Sequence, residues 1–142
     1  MGNSQSIRKV NFEDIQIVLK NPELYLLVNT LTESEQNCLI KGTVSAIQEI
    51  ELINNYLKND KSIKIVIYGK NCNDIKPQEK AQQLYNLGFY NIFIYVGGLF
   101  EWLLLQDIYG DDEFETTKKN LDILNFRPEG IFTRNRNFLL QD

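Results

Sequence analysis

Three short apolar runs, Leu24-Tyr25-Leu26-Leu27-Val28, Ile63-Lys64-Ile65-Val66-Ile67-Tyr68 and Asn91 to Tyr95, are separated by segments whose apolar residues recur at helical spacing. A short run with so little polar interruption is the pattern of a strand covered on both faces. Strands that alternate with helices connect through right-handed crossovers, which build a parallel sheet. The spacing therefore predicts an α/β fold, with a mostly parallel central sheet flanked by helices on both faces.

The punctuation between the runs supports this. Asn11 is placed to cap a helix carrying Phe12, Ile15, Val18 and Leu19, with Asp14 at its third position, and Asn21-Pro22 stops it. Ser45 and Gln48 stand in capping-box register before a helix over 46–58. Pro77 suits a first helical turn, Ala81, Leu84, Tyr85 and Leu87 share one side, and Gly88 suits a left-handed stop. Gly97-Gly98 turns the chain into a further helix, Leu99 to Leu105, apolar nearly all round and carrying Trp102, whose natural place is the core. Residues 1–10 are polar and read as a flexible arm, 11–110 as one domain, and 111–142 as a C-terminal extension wrapped on it.

Composition narrows the chemistry. A chain of 142 residues can bury one core without disulfides. With 15 basic against 19 acidic side chains it lacks the footprint of a nucleic-acid binder. It has no histidine, which removes imidazole as base, proton shuttle and metal ligand. Cys38 and Cys72 form no Cys-x-x-Cys pair, which argues for reduced thiols and against a thiolate metal site. No apolar run approaches the roughly 18 residues of a membrane span, so a cytoplasmic location is expected. No metal and no cofactor are implied.

In such a sheet, ligands bind beyond the carboxyl ends of the strands, at helix amino termini. The loop Gly69-Lys70-Asn71-Cys72-Asn73-Asp74 has that address. The strand Ile65-Val66-Ile67-Tyr68-Gly69, the helix end Leu87-Gly88-Phe89-Tyr90-Asn91-Ile92 and the segment Gly97-Gly98-Leu99-Phe100-Glu101-Trp102 follow in that order. Together they resemble the second half of a rhodanese domain, and the likeness covers about residues 11–108. In that family the strand ends in Tyr-Cys, the helix closes in Leu-Gly-Phe-x-Asn-Val, and Gly-Gly-x-x-x-Trp comes next. The first half agrees more loosely: Leu26-Leu27-Val28-Asn29-Thr30 stands where the family has Leu-Ile-Asp-Val-Arg or similar, and Ile40-Lys41-Gly42-Thr43 resembles a worn Gly-His-Ile-Pro-Gly-Ala.

The departures decide what the resemblance implies. Family members that transfer sulfane sulfur, and related phosphatases, place a nucleophilic cysteine directly after the strand, with backbone N–H groups around it. Here that position is Gly69, which has no side chain to attack or to carry sulfur. The loop also lacks arginine and offers Lys70 with Asp74 instead, and the usual aspartate and arginine after the first strand are Asn29 and Thr30. Cys72 is the candidate displaced nucleophile, three residues beyond the expected place and near both Lys70 and a helix start, which favour a thiolate. The reading is a degenerate active-site loop and no catalytic residue of the family's kind.

Three other segments bear on partners. Met1-Gly2-Asn3-Ser4-Gln5-Ser6 fits an N-myristoylation signal on Gly2, and a single acyl chain with Arg8 and Lys9 as a thin basic supplement gives reversible membrane attachment. Asp107, Asp111, Asp112, Glu113 and Glu115 lack the ligand spacing of an EF-hand loop and read as a solvated acidic face. The tail Ile131 to Leu140, with Arg134 and Arg136 among apolar residues, suits either a strap over the domain or a contact between subunits.

The leading expectation is a catalytically inactive rhodanese-like scaffold that binds a protein partner at a cytoplasmic membrane face. The alternatives are a sulfurtransferase or other thiol-dependent enzyme using Cys72, and a subunit of a larger assembly, viral or otherwise, that associates through its C-terminal extension.

Overall fold

Strand polarity organises the molecule. A computed structural model of the chain describes residues 7–120 and 122–132. It contains β1 (Arg8–Val10), α1 (Phe12–Lys20), β2 (Tyr25–Asn29), α2 (Ala46–Asn59), β3 (Lys64–Tyr68), α3 (Lys76–Leu87), β4 (Ile92–Tyr95) and α4 (Gly98–Tyr109). Short 3-10 turns occupy Glu33–Glu35 and Ile123–Phe126. The four strands pair in the order β1-β4-β3-β2, all parallel. The chain thus has the α/β architecture its alternating pattern implies.

Alternation along each strand divides two cores. Leu26, Val28, Ile65, Ile67, Ile92 and Ile94 pack with Ile53 of α2 and with Ala81 and Leu84 of α3. Leu27, Val66, Tyr68 and Tyr95 face the opposite way, toward Ile15 and Val18 of α1 and Leu99, Trp102 and Leu103 of α4. Because successive strand residues point to opposite faces, each strand feeds both layers, which is why its sequence has no polar face.

Caps set the helix starts. At α1 the capping box is complete: the Asp14 N–H donates to Asn11 Oδ1 and the Asn11 N–H to Asp14 Oδ2, each at 3.0 Å, an arrangement worth about 1 kcal/mol. At α2 only half of the box forms, with the Gln48 N–H donating to Ser45 Oγ at 3.3 Å. Gly88 ends α3 at φ +116, the left-handed conformation that a side chain would disfavour.

Two sequence expectations change. The sequence implies a flexible arm through residue 10, but Arg8–Val10 pair with Phe93–Tyr95 as β1. Three residues with two basic side chains carry no readable period, and the strand exists because β4 offers an unpaired edge. The last helix also runs past Leu105 to Tyr109. Gly2 and the tail from residue 133 onward lie outside the described residues, whereas Ile131 and Phe132 are described and exposed.

The segment after Gly110 returns across α1 and α4. Phe114 and Phe126 are buried in the same core as Trp102. Trp102 is itself fully buried, and its Nε1–H donates to the Glu115 carbonyl at 3.0 Å. Gln106 Nε2 donates to the Phe114 carbonyl at 2.8 Å, and the Thr117 N–H to the Leu39 carbonyl at 2.8 Å. No helix among the described residues is long and apolar enough to cross a membrane.

Candidate functional site

The loop between β3 and α3 opens at the carboxyl end of the sheet, and α4 fixes its first residues. The Leu99 N–H donates to the Gly69 carbonyl at 3.0 Å and the Phe100 N–H to the Lys70 carbonyl at 2.9 Å. These are first-turn donors of α4, which have no partner within their own helix. Such close contact requires glycine at 98. It sits at φ +68, and a Cβ there would lie 2.8 Å from the Gly69 carbonyl oxygen and 2.9 Å from the Asn71 nitrogen.

Gly69 is buried at the mouth of β3, with no room beside it. A Cβ on Gly69 would come within 2.5 Å of Asp74 Oδ2, 2.8 Å of Pro77 Cγ and 3.0 Å of Thr30 Oγ1. The Asp74 carboxylate is held there by the loop's own amides: the Lys70 N–H donates to Oδ2 and the Lys76 N–H to Oδ1, both at 3.0 Å. It therefore binds both the start of the loop and the start of α3. A negative charge at a helix amino terminus is favourable there, so Asp74 does for α3 what an external anion does at such a site.

The other loop residues point elsewhere. Asn71 Nδ2 donates to the Phe126 carbonyl at 2.9 Å, tying the loop to the C-terminal extension, while Asn71 Oδ1 accepts from the Asn73 N–H at 3.0 Å. Cys72 is exposed, and its Sγ lies 3.9 Å from Asn73 Oδ1. Lys70 Nζ forms an ion pair with Glu35 at 3.0 Å and lies 6.0 Å from the centre of the Phe126 ring. Partial burial pushes the Glu35 carboxyl up, but the Thr32 backbone N–H, Lys70 and the Thr32 hydroxyl together hold it below its ordinary value.

A cavity of about 350 Å³ adjoins the loop, and its charged lining is balanced: Lys70, Lys76 and Arg127 face Glu35, Asp74 and Glu129. Asn71 and Asn73 also line it, but neither Gly69 nor Cys72 does. Arg127, Glu129 and Glu35 were not among the sequence candidates. The Thr32 to Glu35 spacing is a capping-box signal that marks Glu35, whose carboxylate accepts from the Thr32 N–H at 3.1 Å and from the Thr32 hydroxyl at 2.9 Å. Arg127 carries no such signal, because it arrives through the irregular extension, with its Nη1 donating to the Leu124 carbonyl at 2.7 Å.

The residues after β2 are structural in their contacts. Asn29 Oδ1 accepts from the Leu31 N–H at 2.9 Å and from Gln36 Nε2 at 2.8 Å. Thr30 Oγ1 is buried without a partner among the described residues. Tyr68, at the end of β3, is fully buried; its hydroxyl accepts from the Ile40 N–H at 3.1 Å and shares a hydrogen bond with Thr43 Oγ1 at 2.7 Å. Burial lifts its phenol above the usual range despite those bonds. Cys38 lies buried under the extension, 3.1 Å from the Lys118 carbonyl, and burial raises its thiol pKa. Among the described residues no three potential ligands are grouped to hold a metal ion.

This architecture, four parallel strands with the β3–α3 loop pinned by a Gly-Gly turn, is that of a rhodanese-like domain. The chain belongs to that family: residues 19–105 match the family described as "Rhodanese-like domain". Solved structures share the fold. The Alr3790 protein from Anabaena sp. is 20% identical, with a TM-score of 0.56 over 92% of this chain and 91% of the other. The Saccharomyces cerevisiae single-domain sulfurtransferase RDL2 is 13% identical, with a TM-score of 0.56 over 76% of this chain and 98% of its own. Ygr203w, described as a yeast protein tyrosine phosphatase of the rhodanese family, is 15% identical, with a TM-score of 0.57 over 89% of this chain and 100% of its own. At these identities the likeness speaks for the fold alone. Comparison with curated proteins gives no match.

Proposed function

We propose that the protein is a rhodanese-like domain without sulfurtransferase or phosphatase activity, serving as a binding module held at a membrane face by acylation of Gly2. One observation carries the catalytic half. The place where the resemblance expects a nucleophile is Gly69, and the volume a side chain would need is filled by the Asp74 carboxylate, which already accepts two of the surrounding amides. A second negative group entering there would meet Asp74 at close range and lose those donors. The balanced charge of the adjoining cavity points the same way, toward a partner with polar groups of both signs rather than a small oxyanion.

The test is a thiosulfate:cyanide assay on the wild type and Cys72→Ser, with a phosphomonoester assay in parallel. Background turnover in both proteins is the expected result. Turnover that disappears with Cys72→Ser would establish the exposed thiol as a nucleophile and replace this reading with the enzymatic one. The membrane half rests on the sequence from Met1 to Ser6, and the intact mass of protein made in eukaryotic cells tests it: a myristoylated amino terminus supports it, and a bare one removes it.

A further inference from the structure

In the sequence Arg8 and Lys9 are a thin basic supplement to an acyl chain, but the fold enlarges it. All strands are parallel, so α1, α2 and α3 each return the chain to the end where the strands begin. That end collects Lys20 from the last turn of α1, Lys58 from the last turn of α2, Lys61 and Lys64 from the turn into β3, and Arg8. Arg8 is drawn down by its neighbours: its guanidinium lies 4.3 Å from the centre of the Phe93 ring, and Nη2 donates to Asn91 Oδ1 at 3.2 Å. Asn91 in turn donates to the Ser62 carbonyl at 2.8 Å, and the Lys61 side chain lies along the α3 stop at Gly88.

All five basic residues are exposed, and none pairs with a carboxylate among the described residues, whereas Lys41, Lys70, Lys80 and Lys119 elsewhere are paired. The acidic residues of these turns are Glu23 and Asp60, with Asp60 engaged by the Ser62 N–H and hydroxyl, and Asp14 of α1 lines a cavity with Lys64 without pairing to it. The acidic run after Asp107 leads into Glu113 and Phe114, which lie against the first half of α1, where the Glu113 carbonyl accepts from Gln16 Nε2 and Phe114 packs on Phe12, whereas Lys20 is in the last turn of that helix. Exposed Leu24, Leu87 and Tyr90 lie in the same turns. The chain also enters the described structure here, at Ile7, so the six residue steps from Gly2 to Arg8 can span at most about 22 Å.

We infer that this end of the sheet is a docking surface for an anionic lipid bilayer. Unpaired lysines and arginine on a chain of net charge -4 supply the attraction, and Leu24, Leu87 and Tyr90 suit the apolar and headgroup layers of a membrane interface. The inference rests on the membrane half of the reading above and adds the second signal that a single acyl chain needs for firm attachment.

The test is vesicle co-sedimentation of the bare protein at low ionic strength, with phosphatidylcholine alone or with one third phosphatidylserine. Wild type should partition onto the anionic vesicles about tenfold or more above the neutral ones, since each basic residue near the surface contributes several-fold. Lys58→Glu/Lys61→Glu/Lys64→Glu should fall to the neutral level, the corresponding glutamines partway. Lys41→Glu/Lys118→Glu/Lys119→Glu, with the same net charge as the first variant, should keep the preference. Equal partition of wild type onto both vesicles, an equal loss in the two glutamate variants, or binding of a single-stranded oligonucleotide as tight as that of the vesicles would overturn it. Co-expression with an N-myristoyltransferase separates the two ideas: a bare mass there defeats the Gly2 reading while the preference of the bare protein stands or falls by itself.

Discussion

The carboxylate of Asp74 lies where the first carbon of a side chain on Gly69 would have to go, at 2.5 Å. The two residues exclude each other's alternatives. As long as the Lys70 and Lys76 amides hold Asp74 in place, position 69 accepts only hydrogen.

It follows that Gly69→Cys alone should confer no turnover in the thiosulfate:cyanide assay. Crowding against Asp74 and the Pro77 ring should destabilise the fold by about 1–3 kcal/mol, as overpacking generally does. Asp74→Ala added to it should recover part of that loss. Urea denaturation of the single and double variants measures the difference, and a double variant less stable than Gly69→Cys would show that the crowding lies elsewhere.

Gly98→Ala attacks the same loop from the other side. The new methyl would meet the Gly69 carbonyl and the Asn71 nitrogen while the backbone holds a left-handed conformation, and each source of strain costs about 1–3 kcal/mol. A clear drop in melting temperature is expected, together with faster hydrogen exchange at Leu99 and Phe100, whose amides bind the loop. Unchanged exchange at those two amides would contradict the docking described.

Stability should fall at both ends of the pH scale. Glu35 is held below its ordinary value of 4.5, so its contribution is complete above that value and is lost as pH falls through the depressed folded-state value. The tyrosines act oppositely. Burial, reinforced by donation to Glu101 at 2.5 Å, raises Tyr95 well above its ordinary value of 10.0, and burial raises Tyr68. Unfolded chains ionise first, so these contributions are complete below about pH 10 and erode above it. Denaturation midpoints measured from pH 3 to 11 should show both declines, with the acid one shallower in Glu35→Gln and the alkaline one shallower in Tyr95→Phe.

The two thiols should differ sharply. Cys72 is exposed, while Cys38 is buried with its thiol raised and hydrogen-bonded to the Lys118 carbonyl. An aromatic disulfide reagent at pH 8 should titrate one thiol quickly in the native protein and the second only after unfolding. Cys72→Ser should remove the fast phase, and a fast phase surviving in that variant would mean that the extension opens readily over Cys38.

The layered sheet was legible because Leu26 to Val28 and Ile65 to Ile67 must be covered on both sides, and a chain of this length has few ways to do that. Gly98 of the Gly97-Gly98 turn and the stop at Gly88 were legible for the same kind of reason, since each marks a left-handed backbone conformation that side chains disfavour. β1 was not, because Arg8 to Val10 become a strand only through the edge of β4. The composition of the cavity was also hidden. Arg127 and Glu129 lie far from Lys70 in sequence, and the segment that delivers them is anchored by single aromatic residues, Phe114 and Phe126, rather than by a repeating pattern. Asp74 was visible as a charge beside Lys70, but its hydrogen bonds to Lys70 and Lys76 depend on the loop's curvature.

Parallel strand direction fixes one more property of the molecule. The basic turns and the cavity at Lys70 sit at opposite poles, separated by strands of five residues, or about 17 Å. A copy resting on a bilayer by its lysine-rich pole would hold the Lys70, Glu35 and Arg127 rim outward, open to whatever diffuses past, with the sheet acting as a spacer between anchor and binding mouth.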